Sequence, residues 1–325
     1  MKKLIAICVI AGMLGSSSTA LAAETINIKV KDKLVKTDTA PVIDQGRVLV
    51  PLRTVSESLG ATVEWKQQQK TVVVAKWSKT ATMTVGKKTV RVDNKAASDL
   101  SGNFPLDVTV KMINNRVYVP LRFISEQLGY KVYYKDHTVS IQSPYAGKYN
   151  ENYYAQILSG DLGRSRMILK ASLGPYGLRN YEHTPIETVQ SAANEAYLFP
   201  EGEALRCFLI ENNETITFFE YKDDFVVATW QAHVEQSDGN AVEQLLQDKL
   251  KDRTGPTPTI NKPFFYNYIE PWGNVLVRTG RIDPDGTYTE LGYRNDRGEK
   301  PVLSGTISNT LPNEVRNEFI KVDTQ

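Results

Sequence analysis

The segment VLVPLRTVSESLGATVEW, starting at Val48, returns 69 residues later as VYVPLRFISEQLGYKVYY, starting at Val117. Val48, Val50, Pro51, Leu52, Arg53, Ser56, Glu57, Leu59, Gly60 and Val63 all recur at that offset. Agreement at one fixed spacing points to a single structural unit built twice. The unit reads as strand, helix, strand, strand. Pro51 and Pro120 have φ preset for a helical first turn and no N–H to lose there, so each marks the passage from strand to helix. Gly60 and Gly129 stand where left-handed backbone ends a helix at little cost. Between these markers Leu52, Val55 and Leu59, then Leu121, Ile124 and Leu128, recur at spacings of three and four. That makes one apolar stripe per helix, which must lie on a sheet. The sheet comes from β-branched runs at Thr62 to Trp65, Thr71 to Ala75, Lys131 to Tyr134 and Thr138 to Ile141. Upstream, IKVKDKLV and MTVGKKTV each place turn residues between apolar runs, as a hairpin requires. Arg53 with Glu57 and Arg122 with Glu126 lie four apart, so each pair can meet on its helix for a few tenths of a kcal/mol at most. A guanidinium holding strand carbonyls or the helix end is an equal alternative, and both roles are structural.

The pattern V-x-V-P-L-R-x-[VI]-S-E-x-L-G-x-x-V, followed by an aromatic residue and a Thr-Val strand, resembles the copper amine oxidase N-terminal-like domain, also called the stalk domain, over residues 24 to about 142. The resemblance implies an accessory α+β module found in exported and cell-wall-associated bacterial proteins and joined to many different partners. It does not imply an oxidase. That enzyme holds copper with three histidines and makes its quinone from the tyrosine of an N-Y-[DE] motif. Here His137, His183 and His233 are the only histidines, and none has the short spacing of a metal pair. Asn267-Tyr268 is followed by Ile269 in place of the acid. No metal and no cofactor are expected.

The chain opens with Lys2-Lys3, an apolar run from Leu4 to Leu14, and small residues ending in Ala20-Leu21-Ala22. This order predicts a secretory signal peptide over 1–23 and a mature protein that is secreted, extracellular or cell-wall associated. The apolar run is too short to cross a bilayer of about 30 Å as a helix, so no transmembrane segment is expected. Cys8 would leave with the leader, and Cys207, among apolar neighbours in ALRCFLI, is expected to be a buried, inert thiol.

Charge separates the rest. Residues 24–143 carry 19 Lys and Arg against 11 Asp and Glu, a net of +8, while residues 144–325 carry 18 against 26, a net of −8. The division suggests a basic half that faces an anionic polymer, or two halves that face each other. It also places a domain boundary near Pro144, giving a duplicated stalk domain over 24–143 and a second domain over 144–325.

The second domain reads as antiparallel α+β. A helix is expected from Thr184-Pro185 through Tyr197, then a meander over Ala204 to Glu211, Thr215 to Tyr221 and Phe225 to Glu235. A second helix opens at Asn240 with Val242, Leu245, Leu246 and Leu250 on one stripe. Strands follow at Phe264 to Ile269, Val275 to Ile282, Thr287 to Tyr293 and Val302 to Ile307, and a last helix from about Pro312 to Ile320. DPDGTYTE, from Asp283, spaces acids somewhat like a calcium loop but lacks the third acid before Gly and the flanking helices, so it reads as a hairpin turn. LSGDLGRSR, from Leu158, lacks the Walker lysine and a preceding strand. SLGPYG, from Ser172, is no nucleophile elbow.

Aromatic residues are the remaining signal. Tyr149, Tyr153 and Tyr154 cluster at the domain junction, while Tyr266, Tyr268 and Trp272 cluster beside the turn Pro271-Trp272-Gly273. Such rings pack cores, and they also stack on flat sugar faces. Tyr266, Tyr268 and Trp272 are therefore the candidate ligand-binding residues, for a glycan, peptide or protein. Two functions compete: a non-catalytic envelope protein whose basic half docks on anionic wall polymer, and a secreted hydrolase of wall or extracellular polymer using carboxylates such as Glu182, Glu187 and Glu195. No nucleophile, base and orienter are recognisable together, which favours the first. Nothing suggests nucleic acid.

Overall fold

The computed structural model describes residues 26–143, 156–173, 179–186, 194–235, 239–270, 275–298 and 300–318. The expected leader, Tyr149, Tyr153, Tyr154, Glu187 and Trp272 lie outside them. The described residues are mostly antiparallel sheet with a few short helices.

In the first half, β1 is Asn27–Val30, β2 Lys33–Leu34, β3 Val42–Asp44, β4 Arg47–Pro51, β5 Thr62–Lys66, β6 Thr71–Lys76, β7 Lys79–Thr84, β8 Thr89–Asn94 and β9 Gly102–Pro105. Then come β10 Lys111–Ile113, β11 Arg116–Pro120, β12 Lys131–Lys135 and β13 Thr138–Gln142. Helix α1 is Leu52–Ser58 and α2 is Leu121–Gln127. Three sheets form, ordered β12-β13-β1-β2, β10-β11-β4-β3 and β5-β6-β7-β8-β9. In the middle one, β4 and β11 run antiparallel with Val50 opposite Val119, Pro51 opposite Tyr118 and Leu49 opposite Pro120. Val119 is the 69-residue counterpart of Val50, so the two segments meet about a local two-fold axis, as two subunits would across an isologous interface. The ion pairs obey the same symmetry. Arg47 holds Asp107 at 2.5 Å and Arg116 holds Asp38 at 2.7 Å, each reaching the segment ahead of the other copy.

Both helix ends close identically. The Gly60 N–H donates to the Glu57 carbonyl and the Ala61 N–H to the Ser56 carbonyl; Gly129 and Tyr130 donate to Glu126 and Ser125 in the same way. These paired bonds form a Schellman motif, and φ is +74° at Gly60 and +89° at Gly129. The four-apart pairs sit at 3.7 Å for Arg53–Glu57 and 3.9 Å for Arg122–Glu126, well exposed.

The hairpins cross over. The β7–β8 hairpin, which precedes the second copy in sequence, extends the first copy's β5–β6 pair, while β1–β2, which precedes the first copy, joins β13 of the second. Each copy's sheet is thus completed by the hairpin ahead of the other, and β1 runs parallel to β13.

The second half is built on one ten-stranded sheet. It contains β14 Asn180–Tyr181, β15 Glu195–Pro200, β16 Arg206–Glu211, β17 Thr215–Lys222, β18 Phe225–His233, β19 Lys251–Thr254, β20 Phe264–Glu270, β21 Leu276–Ile282, β22 Tyr288–Asn295 and β23 Val302–Gly305. The order is β14-β18-β17-β16-β15-β20-β21-β22-β23, with β19 on β18. Helix α3, Leu162–Ser172, covers one face with Leu169, Leu173, Phe199, Phe219 and Phe265; α4, Ala241–Leu246, covers part of the other with Phe208, Phe218, Trp230 and Phe264.

Several expectations for this half are corrected. Glu195–Pro200 is a strand and not a helix end: it pairs on both sides, with β16 and β20, and its five C-terminal residues are buried. A short apolar run buried on both faces has no period that separates strand from helix. No helix forms over 312–318, because tertiary partners take the groups a helix would use. The Asn317 N–H donates to the Gly202 carbonyl, and Glu314 accepts from Gly202 N, Leu311 N and Arg166. The second helix is shorter than expected and leaves Leu250 beyond it. LSGDLGRSR contains the start of α3, whose Asp161 caps the Arg164 N–H. Cys207 is buried, and burial pushes its thiol up to about 12.

The two halves touch at the tip of the β17–β18 hairpin. Phe225 and Val227 belong to the core of the first half. The Phe225 ring meets Trp77 edge-on at 4.7 Å and Tyr130 at 5.2 Å, and Lys31 pairs with Asp224. Beneath them Lys76, 4% exposed, donates to the Leu59 carbonyl at 2.5 Å and to the Tyr130 hydroxyl at 2.9 Å. The tip rests against the glycine caps of both copies.

Candidate functional site

Alternation along β20 sets the site. In FFYNYIE, Phe264, Tyr266 and Tyr268 point to the α4 face, while Phe265 and Ile269 join the α3 face. Helix α4, capped by Asn240 through the Glu243 N–H, spans only six residues and stops short of β20–β22. The uncovered part of that face is a cleft of ≈ 660 Å³, within the range of small-ligand sites. Its floor is Ala196, Ile210, Tyr266, Tyr268 and Arg278, and the small Ala196 lies between Ile210 and Tyr268 in register. One wall is α4, with Val242, Glu243, Leu246 and Gln247; the other is the β21–β22 turn, with Pro284, Asp285, Gly286 and Tyr288.

Tyr266 and Tyr268, singled out from sequence, therefore line one cleft. Tyr288 completes an aromatic corner, its ring 5.6 Å from that of Tyr266 at 81°. Gly280 makes this possible: a Cβ there would lie 2.4 Å from Tyr288 Cε2 and 2.7 Å from the Thr289 carbonyl oxygen, beside a register shift at Thr279/Gly280. A glycine inside a strand marks such a close approach, so the Gly of RTGRI was the available signal for Tyr288. Burial raises the Tyr266 hydroxyl, with Tyr288 and Tyr268 adding to it, and burial also raises those of Tyr268 and Tyr288. All three phenols stay neutral near pH 7. Tyr268 donates to Glu270 at 2.5 Å.

Arg278 sits between Tyr268 and Tyr293 in register, with its guanidinium 5.2 Å from the Tyr293 ring centroid. DPDGTYTE is a hairpin turn: the Asp283 N–H donates to the Thr287 carbonyl, and Asp285 accepts the Thr287 N–H at 2.9 Å. That backbone hydrogen bond lowers the Asp285 carboxyl below its ordinary value.

Of the carboxylates considered for hydrolysis, Glu182 and Glu195 do not converge. Glu182 pairs with Lys222 at 2.5 Å, near the opposite end of the sheet. Glu195 accepts from the Tyr197 hydroxyl at 2.6 Å, on the face away from Ala196 and the cleft. Among the described residues no group of three or more His, Cys, Asp or Glu side chains is placed to hold a metal ion, and no helix is long and apolar enough to cross a membrane.

The first half also presents an ordered basic surface. On the solvent side of the β12-β13-β1-β2 sheet, one cross-strand row is Tyr133, Ser140, Lys29 and Leu34, flanked by the pairs Lys135–Thr138 and Lys131–Gln142. The corresponding side of the five-stranded sheet reads Glu64, Val73, Thr82, Arg91 and Asn103, with Arg91 paired to Asp93 at 2.7 Å.

Residues 29–143 match the model of the copper amine oxidase N-terminal domain family, about a third of the chain. No curated protein matches the chain.

Proposed function

We propose that this is an exported, non-catalytic cell-envelope protein: residues 24–143, a duplicated stalk unit, attach to an anionic wall polymer, and residues 144–325 present the tyrosine cleft to a ligand. The observation that carries the reading is the lysine-bearing sheet face. Alternate residues on a strand lie about 6.8 Å apart and neighbouring strands about 4.8 Å apart. Lys29, Lys131 and Lys135 thus share one sheet face beside the exposed Tyr133; the strands between them carry no carboxylate, and Asp136, in the β12–β13 turn, lies 4.0 Å from Lys135. A polymer with regularly spaced negative groups suits such a face, and the second half, at −8, would itself repel such a polymer.

The test uses the whole mature chain and purified walls, before and after their anionic polymer is stripped. The chain is expected to sediment with intact walls at 0.1 M salt and to be released at 1 M, as the screening length falls from about 10 Å to about 3 Å. Changing Lys29, Lys131 and Lys135 together to Glu should abolish sedimentation, whereas Lys66→Glu, on the other sheet, should not. Wall binding by the triple variant equal to that of the parent chain refutes the assignment.

The hydrolase reading keeps one observation in its favour, since Glu243 and Asp285 line the same cleft. Asp285, with its carboxyl held low by the turn, is unsuited to the general-acid role that glycoside cleavage demands. New reducing ends released from wall polymer by the parent chain, and lost in Glu243→Gln, would establish hydrolysis.

A further inference from the structure

We infer that the ligand of the tyrosine cleft is a saccharide bearing a carboxylate, held at that group by Arg278. This rests on the reading of the cleft as a ligand site and is independent of wall attachment by the lysine face.

Neighbouring arginines of this part of the sheet lie outside the cleft and are occupied: Arg281 holds Glu201 at 3.2 Å and Asp283 at 2.9 Å, Arg294 holds Asp296 at 2.7 Å, and Arg297 holds Glu270. Among the described residues Arg278 has no carboxylate partner, although it lines the cleft. Its guanidinium is nonetheless positioned, stacked at 5.2 Å over Tyr293 and flanked by Tyr268. A planar fork oriented by an aromatic ring is preorganised for two parallel hydrogen bonds to a carboxylate.

The rest of the cleft argues for a sugar as the body that carries this group. Tyr266 and Tyr288, nearly perpendicular, offer two ring surfaces at a corner, and aromatic rings with a polar tip suit a ligand that is apolar on one face and hydroxylated at its edge. Glu243 and Asp285 on the walls are acceptors, able to take hydroxyl protons, and both would repel a polyanion. The amide of Gln247 is tied to Glu243 at 3.1 Å and fixes that acceptor on the helix. One cation and two acceptors around three tyrosines match a ligand with one negative charge among several hydroxyls. The lysine face, by contrast, has the repeated positive charge that a polyanion requires.

The experiment is calorimetric titration of the full mature chain with N-acetylmuramic acid, which differs from N-acetylglucosamine by a lactyl ether carrying the carboxylate. N-acetylglucosamine, the methyl ester of the acid and N-acetyl-trialanine are the comparison probes. The acid is expected to bind at least tenfold more tightly than its ester or the neutral sugar. Arg278→Gln, an exposed position whose replacement should leave the thermal melt unchanged, should erase that preference and leave weak binding of the neutral sugar. Tyr268→Ala should weaken every sugar. Equal binding of acid and ester, lost in Tyr268→Ala, overturns the carboxylate assignment while the cleft stands as a site. Binding of the peptide alone overturns the saccharide class. Binding that neither variant alters, or no binding of any probe, overturns the inference entirely.

Discussion

Replacing Gly129 by Ala should disrupt the junction between the two halves far more than the same change at an isolated glycine with similar backbone. At Gly129 two costs combine. Its φ of +89° is disfavoured for any residue with a Cβ, which costs about 1–2 kcal/mol. The new Cβ would also lie 2.9 Å from Cε1 of Phe225, closer than real contacts allow. That ring is 5% exposed and wedged against Trp77 and Tyr130, so it must displace its neighbours. Overpacking of this kind typically adds about 1–3 kcal/mol. Gly46, in the β3–β4 turn, has φ of +73° and nothing within 4 Å of the same Cβ, so Gly46→Ala isolates the backbone cost. Gly60→Ala should fall between Gly46→Ala and Gly129→Ala, because its Cβ approaches the end of the flexible Asp223 side chain at 3.0 Å and the buried Lys76 Nζ at 3.3 Å. Urea unfolding of the full mature chain, followed by tryptophan fluorescence, gives the three values. A fourth variant, Phe225→Ala, closes a double-mutant cycle: in that background the excess of Gly129→Ala over Gly46→Ala should vanish. If Gly129→Ala costs no more than Gly46→Ala, or if its excess survives the loss of the ring, the hairpin tip is not seated on the glycine cap and the account of the junction is wrong.

Two further outcomes concern buried charge. The side chains of Arg166 and Glu314, both fully buried, are joined at 2.6 and 2.8 Å, and Arg166 also donates to the Glu203 carbonyl at 2.8 Å, so Arg166→Met should cost about 3–5 kcal/mol by stranding the carboxylate, and adding Glu314→Met should recover only part of it in the same unfolding assay, because the Gly202 and Leu311 N–H groups then lose their acceptor. Burial lowers Lys76 from 10.5 to about 8, with Asp223 partly opposing it. Because the folded value lies below the unfolded one, the cost of burying the charge is present in full below pH 8 and is relieved as pH rises towards 10.5. The stability of the parent chain relative to Lys76→Met should therefore rise between pH 8 and 10, by up to about 1.4 kcal/mol per unit. A flat difference over that range would mean that the ammonium is solvated.

The sequence by itself determined the local elements of the first half, because each is specified by neighbours a few residues away. Pro51 and Pro120 mark the passage to each helix, although as N-caps that end their strands, one residue ahead of the first helical position expected of them; Gly60 and Gly129 accept the left-handed cap, and stripes at three and four give each helix its buried side. It also reached the β16–β18 meander and β20–β23, where turn residues punctuate apolar runs, and it placed Tyr266 and Tyr268 together, since alternation on one strand puts them on one face. What only the tertiary structure decided is which distant pieces meet. The 69-residue offset does not say that the hairpins cross between copies, because a strand's pattern specifies its buried face and not its partner. Glu195–Pro200 was ambiguous for the related reason that burial on both faces erases the period. The stretch 312–318 took its conformation from Arg166 and Gly202, more than a hundred residues away, which no local propensity encodes. The cleft exists because α4 ends early and Gly280 lets Tyr288 fold back on Tyr266, so Arg278 becomes a site residue only once three strands and a short helix have been assembled around it.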